Sequence, residues 1–196
     1  WQRNIERTLE LEPDSVTIYQ MEIPYNTTIY REMVDAGALI APVADWATKR
    51  RWVKEAFAAL ESAGYTIASG YTAVRDPRRT KFIYRDALWG GADLLGLGVA
   101  SFSHVAGVHY QNLTEIDPYI EAIESGGLAV KRSLRTTAEE RMIREFILQM
   151  KLGRVRMRPL MEKFGVDVLE RFAGPLAELR EEGLLAVADG EIVLER

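Results

Sequence analysis

The residues best suited to chemistry lie between Asp93 and Asn112. Two alternate glycines, Gly96 and Gly98, lead through Ala100-Ser101-Phe102-Ser103 to both histidines of the chain, His104 and His109. A glycine in an extended run gives up packing surface and backbone entropy, so it marks a close approach to the main chain. The run Asp93–Phe102 is therefore expected to be a strand lying under a ligand. His104 and His109 could donate hydrogen bonds or move protons near neutral pH, with a solvated loop as their simpler setting. Arg75, Arg78, Arg79 and Lys81 form a basic loop whose guanidinium forks suit carboxylates, though a solvated loop is again the simpler reading. Glu22 is either a carboxylate at the mouth of the site or a partner for one of these arginines. Trp89, next to Gly90-Gly91, is hard to place in a core and is expected in a loop lining the site.

Other chemistries are excluded by composition. The chain has no cysteine, which removes disulfides, thiolate nucleophiles and any thiolate-held zinc or iron–sulfur cluster built from these residues. With two histidines, a histidine-rich metal site is not expected. A net charge of −4 gives no general attraction to nucleic acid or to an anionic membrane. No apolar run approaches the roughly 20 residues that span a bilayer, so the expected setting is cytoplasmic. The 196 residues, 47% hydrophobic and 28% charged, suit one large domain or a medium and a small one.

These residues must be held by elements that the patterning predicts. Gln2–Leu11 reads as a helix closed by Glu12-Pro13, and Ser15–Met21 as a β-branched strand. A loop through Pro24-Tyr25-Asn26 precedes a helix at Thr28–Ala36. In Asp45–Ala63, Trp46, Trp52, Val53, Ala56, Phe57 and Leu60 recur at helical spacing as core, and Gly64 stands at the C-cap. Tyr65–Thr72 reads as a strand and Asp117–Ser125 as a short helix. Strand, long helix, strand suggests a parallel sheet and the last units of an incomplete β/α barrel, with chemistry at the strand ends. After Gly126-Gly127 come helices at Thr136–Met150, Arg158–Phe164 and Val166–Glu182, then a hairpin around Asp189-Gly190. Three helices and a hairpin follow the order of a winged helix. The expected division is 1–127 and 128–196. With no initiating Met and a hairpin that stops at its second strand, the chain is expected to be a piece of a longer protein.

The run Asp93-Leu-Leu-Gly-Leu-Gly-Val-Ala-Ser-Phe-Ser, followed by Tyr110-Gln-Asn, Tyr119 and Gly126-Gly127, resembles the oxygen-independent coproporphyrinogen III oxidase family of radical S-adenosylmethionine enzymes. Arg135-Thr-Thr-Ala-Glu-Glu-Arg-Met-Ile-Arg-Glu-Phe-Ile and Pro175-Leu-Ala-Glu-Leu-Arg-Glu-Glu-Gly-Leu-Leu extend the likeness into the C-terminal part. The resemblance implies S-adenosylmethionine as cofactor and a [4Fe–4S] cluster held by three cysteines that this chain does not contain. It therefore implies the C-terminal portion of such an enzyme, inactive by itself and completed by the rest of its barrel. The implied reaction is decarboxylation of porphyrinogen propionates in haem biosynthesis.

By position, the resemblance assigns cofactor contacts to Met21 and Phe102, with Gly96 and Gly98 giving clearance. Tyr71 and Tyr84 depart from the histidine and glutamine that the family oxidases carry near those places. Both, with Glu22, Arg78, Arg79, Trp89 and His104, remain candidates to touch a small-molecule substrate, in this family a tetrapyrrole. A relative with other chemistry would share these features, whether a haem chaperone, a haem-degrading enzyme or a radical methyltransferase. So would a non-catalytic winged-helix module, but its recognition segment carries Asp167, Glu170, Glu178, Glu181 and Glu182 against Arg171 and Arg180. That is the wrong sign for nucleic acid.

Overall fold

The structure is a computed structural model describing residues 1–24, 27–35, 37 and 43–195. It divides into two compact units, Trp1–Lys81 and Phe82–Arg196.

The first unit contains α1 (Gln2–Leu11), β1 (Ser15–Thr17), α2 (Thr28–Asp35), α3 (Trp46–Ser62), β2 (Thr66–Ile67) and β3 (Thr72–Val74). Asp45 caps α3 by accepting from the Thr48 backbone N–H at 2.7 Å. That bond, with those from neighbouring amides, holds its carboxyl below the usual range. Gly64 at φ +88° turns the chain out of the helix. Leu60, Tyr65 and Ala73 form the buried core, and Tyr65 Oη donates to the Pro13 carbonyl at 2.7 Å.

The expected parallel sheet is not what forms. The order is β1-β3-β2, with both outer strands antiparallel to β3. β1 and β2 do run the same way across α3, but a third strand lies between them. The cause is local: Ser69-Gly70 breaks the predicted Tyr65–Thr72 strand into a hairpin, closed by Ala68 N–H to Thr72 O at 2.8 Å and by Tyr71 N–H to Ser69 Oγ at 3.2 Å. The predicted Ser15–Met21 strand ends as a ladder at Thr17, with one further bond from Ile18 N–H to Tyr71 O. Trp46, expected in the core, is 48% exposed with Lys49 over its ring. It is the first residue of α3, so its side chain overhangs the capping loop. Tyr25, Asn26 and Ala36 lie outside the described residues.

The second unit opens with α4 (Ile83–Trp89) and continues with β4 (Phe102–Val105), β5 (Val108–Asn112), α5 (Ile116–Glu124), β6 (Val130–Arg135) and α6 (Ala138–Met150). Then follow β7 (Arg154–Arg156), α7 (Met157–Phe164), α8 (Val168–Arg171), α9 (Ala173–Glu181), β8 (Leu185–Ala188) and β9 (Glu191–Leu194). Two antiparallel sheets result, ordered β4-β5-β6 and β7-β9-β8. The first hairpin turns on Ala106 and Gly107, both at positive φ, as two-residue hairpins require. Asp189 at φ 52° and Gly190 at φ 72° do the same for β8 and β9.

Thr137 caps α6 in a reciprocal box with Glu140. Met142, Val155, Leu160, Val168, Leu176, Leu185 and Ile192 fill the core beneath it. The predicted Val166–Glu182 helix is two helices with a break at Phe172, whose ring stacks on Phe146 at 5.7 Å. Among the described residues no helix is long and apolar enough to cross a membrane, and no cluster of three or more metal-ligating side chains occurs.

Candidate functional site

The glycine run is a scaffolded loop. From Asp93 to Ser101 it touches a neighbouring strand through one bridge, Leu94 to His104, and the strand proper begins at Phe102. Near its end Ala100 N–H donates to Leu113 O and Ser101 O accepts from Asn112 N–H, while the two glycines bond to side chains. Gly96 N–H donates to Ser103 Oγ at 2.9 Å, and Gly98 N–H donates to Tyr119 Oη at 3.1 Å. Asn112 Nδ2 donates to the carbonyls of both glycines, at 3.2 and 2.9 Å. Ser103, Asn112 and Tyr119 thus replace the ladder partners that a strand would have used.

The two glycines are needed for different reasons. A Cβ on Gly96 would stand under 3.0 Å from the Phe102 carbonyl oxygen, so the chain's own backbone fills that space. Gly98 has φ +90°, and a Cβ there would meet nothing nearer than Ser101 Oγ at 4.0 Å. Gly98 therefore leaves open clearance and Gly96 does not.

Register sorts the β4-β5-β6 side chains onto two faces. Phe102 pairs with Gln111, which pairs with Arg132, while His104 pairs with His109, which pairs with Leu134. On this face the Phe102 and His109 rings stack at 5.5 Å and 3°. They line a concavity of about 190 Å³ with Gln111, Arg132 and Leu134. Phe102 is 46% exposed, so its ring is a platform. Gln111 is buried and donates through Nε2 to Ala100 O at 3.1 Å. Its Oε1 accepts from Arg132 Nε at 2.9 Å. The opposite face carries an apolar concavity of about 550 Å³ that includes Gly96, Leu97, Tyr110 and Leu128. Gly96 and Phe102, expected to share one ligand, thus line different hollows.

His104 is buried instead of solvated, at 7% exposure, and its Nδ1 has no hydrogen-bond partner. Burial, reinforced by Arg144 and His109, pulls its pKa below the usual histidine value, while Asp93 opposes the shift. It is neutral at physiological pH and sits with His109, rings 6.1 Å apart.

Trp89 is the last residue of α4, and Arg85 and Lys151 lie over its ring. Its place is explained by cation–π contacts. Beside it, Gly91 leaves room for the buried Glu145 carboxylate, which accepts from Lys163 Nζ at 2.5 Å. Tyr84 is 69% exposed on α4.

In the first unit, Tyr71 packs on Tyr19 at 5.7 Å. Met21 is 62% exposed and lines a concavity of about 220 Å³ with Tyr19, Lys49 and Trp52. Glu22 is exposed, and the described ion pairs of the arginine loop go elsewhere: Arg75 pairs with Glu12 at 2.7 Å and Arg78 with Asp76 at 3.5 Å. Asp76 accepts from the Arg78 backbone N–H at 2.9 Å, which holds its carboxyl below the usual range. The arginine loop is thus an aspartate-closed turn. Arg78 is fully extended into solvent, with a side chain 92% exposed, and Arg79 is likewise exposed.

The HemN C-terminal domain family matches residues 136–196, the segment that begins at the capping box of α6. Oxygen-independent coproporphyrinogen III oxidase of Pseudomonas aeruginosa is 23% identical over 98% of this chain and 46% of its own length. Heme chaperone HemW of Bacillus subtilis is 21% identical over 98% of this chain and 50% of its own. Among solved structures, the radical SAM enzyme coproporphyrinogen III oxidase (HemN) from Escherichia coli superposes with a TM-score of 0.72 at 21% identity. That match covers 98% of this chain and 47% of HemN, and it shows a shared mixed α/β fold. The chain spans about half the length of the curated relatives it matches. Residues 136–196 thus match the HemN C-terminal domain family, and the whole chain is similar to about half of oxygen-independent coproporphyrinogen III oxidase.

Proposed function

We propose that this chain is the C-terminal part of a radical S-adenosylmethionine enzyme of the coproporphyrinogen oxidase type, supplying one wall of its cofactor and substrate cavity. The observation that carries this reading is the Phe102 platform. It is an exposed aromatic face, stacked on His109, at a position where the family resemblance assigns a cofactor contact. An adenine ring has the flat apolar surface such a platform takes, and open clearance lies at Gly98. Met21, in the first unit, is exposed, and the resemblance assigns it a cofactor contact. When bound, S-adenosylmethionine supplies the radical-forming carbon–sulfur bond; this chain's residues bind and orient its purine.

A [4Fe–4S] cluster does not fit these residues. There is no cysteine among the 196, so its thiolate ligands must come from elsewhere, and no chemical step is assigned to this chain alone. Its partners in this reading are the remainder of the barrel and a tetrapyrrole substrate.

The segment 136–196 runs α6, β7, α7, α8, α9 and the β8–β9 hairpin; in this reading it is a winged-helix-like cover domain, and its acidic α8–α9 segment argues against nucleic acid.

One observation favours a second reading. The similarity to HemW covers as much of this chain as the similarity to the oxidases, so a haem-handling relative is the alternative. Anaerobic reconstitution of the parent protein separates the two. Conversion of coproporphyrinogen III supports the oxidase, haem binding without turnover supports the chaperone, and a parent lacking a Cys-x-x-x-Cys-x-x-Cys segment overturns the enzyme reading altogether.

A further inference from the structure

We infer that Arg132 is an anion anchor beside the Phe102–His109 platform, holding a carboxylate of the ligand seated there. The inference rests on the platform reading above.

Three observations carry it. Arg132 lies on the edge strand β6, on the same face as Phe102 and His109, and lines the same concavity. Its Nε is committed to Gln111, and Gln111 is fixed in turn by the Ala100 carbonyl. This clamp fixes the guanidinium plane and leaves both terminal nitrogens with their donors uncommitted. Among the described residues no carboxylate pairs with Arg132, and none lines the concavity.

Around His104, on the same face, Arg141 and Arg144 disfavour its protonation and Asp93 favours it. An oriented, unneutralised guanidinium fork next to an exposed aromatic face fits a flat ring system that carries a carboxylate. Gln111 is a positioning residue in this arrangement. A structural reading of Arg132, as a strand-edge charge, explains its exposure but not the buried glutamine that aims it.

The carboxylate has two possible sources, the aminoacyl end of the cofactor or an acid side chain of the substrate. Calorimetric titration of the 196-residue chain with S-adenosylhomocysteine, 5′-methylthioadenosine (the same nucleoside without the amino acid) and coproporphyrin III separates them. If Arg132→Met weakens S-adenosylhomocysteine about tenfold and leaves 5′-methylthioadenosine unchanged, the anchor holds the cofactor. If it weakens coproporphyrin III about tenfold and neither nucleoside, the anchor holds the substrate. Arg132→Lys, which keeps the charge but loses the fork, should fall between wild type and Met.

Unchanged affinity for all three ligands in Arg132→Met overturns the anchor while leaving the platform standing. Failure of every ligand to bind wild type overturns the platform reading as well. The side chain is exposed on an edge strand, so the variant should fold. If it does not, a salt-sensitive wild-type preference for S-adenosylhomocysteine over 5′-methylthioadenosine, or salt-sensitive binding of coproporphyrin III, supports the anchor, and salt-insensitive affinity for all three overturns it.

Discussion

Gly96→Ala and Gly98→Ala should have opposite characters, although the two residues look equivalent in the sequence. At Gly96 an added Cβ would stand under 3.0 Å from the Phe102 carbonyl oxygen and 3.0 Å from Ser101 Cβ. Both are main-chain-anchored atoms that cannot swing away. Overpacking of this kind costs about 1–3 kcal/mol. Displacing the loop also breaks the 2.9 Å bond from Gly96 N–H to the fully buried Ser103, which adds about 1–2 kcal/mol for groups left unsatisfied. Gly96→Ala is therefore expected to destabilise by about 2–5 kcal/mol.

At Gly98 no atom lies within 4 Å closer than Ser101 Oγ at 4.0 Å, and the cost is that of the left-handed backbone, about 1–2 kcal/mol. Urea unfolding followed by circular dichroism, with the slope checked for constancy, measures both. The companion assay is 5′-methylthioadenosine binding, which Gly98→Ala should weaken because it fills the open side. If Gly96→Ala is as stable as wild type and loses ligand affinity, Gly96 serves ligand clearance and the packing account is wrong.

Three further outcomes are expected. Lys163→Met should destabilise by about 1–3 kcal/mol, because it strands the buried Glu145 carboxylate with Gln149 as its remaining donor; a lower urea midpoint measures this, and an unchanged midpoint would show the pair to be dispensable. Thr137→Ala should cost about 1 kcal/mol through loss of the capping box on α6, read as a lower urea midpoint, whereas no shift would show the cap to be redundant. His104 gives a pH dependence of definite sign. Its folded pKa is lowered, so the unfolded state binds the extra proton between that value and about 6.5. Its contribution is complete above pH 6.5 and is lost as pH falls through that window, with a slope of at most about 1.4 kcal/mol per unit. A His104→Gln variant should lack this acid-side loss; an unchanged profile would assign the dependence to other groups.

Legibility varied with how local the signal was. Turns and helix ends read directly from sequence because a few adjacent residues determine them: Gly64 after α3 and Asp189-Gly190 in the last hairpin act as expected. The helix Gln2–Leu11 also matches its expected bounds. What failed was non-local. The apolar stretch ending at Thr72 looks like one buried strand, and the Ser69-Gly70 turn within it converts a parallel expectation into a β1-β3-β2 antiparallel sheet.

The glycine run looked like a strand because its residues suit one, yet its amides are taken by Ser103 and Tyr119. Periodicity carries no record of such side-chain partners. His104 was read as solvated because nothing in its neighbours in sequence announces the β4–β5 hairpin that buries it. Of the candidate site, Phe102 and His104 proved to share one sheet face, whereas Gly96 lines the other. Arg132 and Gln111 were missed as a pair, since a strand-edge arginine becomes informative only once its register partner is known.

The account stands or falls on whether a purine rests against Phe102. Intermolecular NOEs between 5′-methylthioadenosine and the isotopically labelled chain test this directly. The expected result is contact from the adenine protons to the Phe102 ring and to His109, lost in Phe102→Ala while the fold is retained. Adenine contacts confined to other residues, with the Phe102 resonances unmoved at saturating ligand, would contradict it.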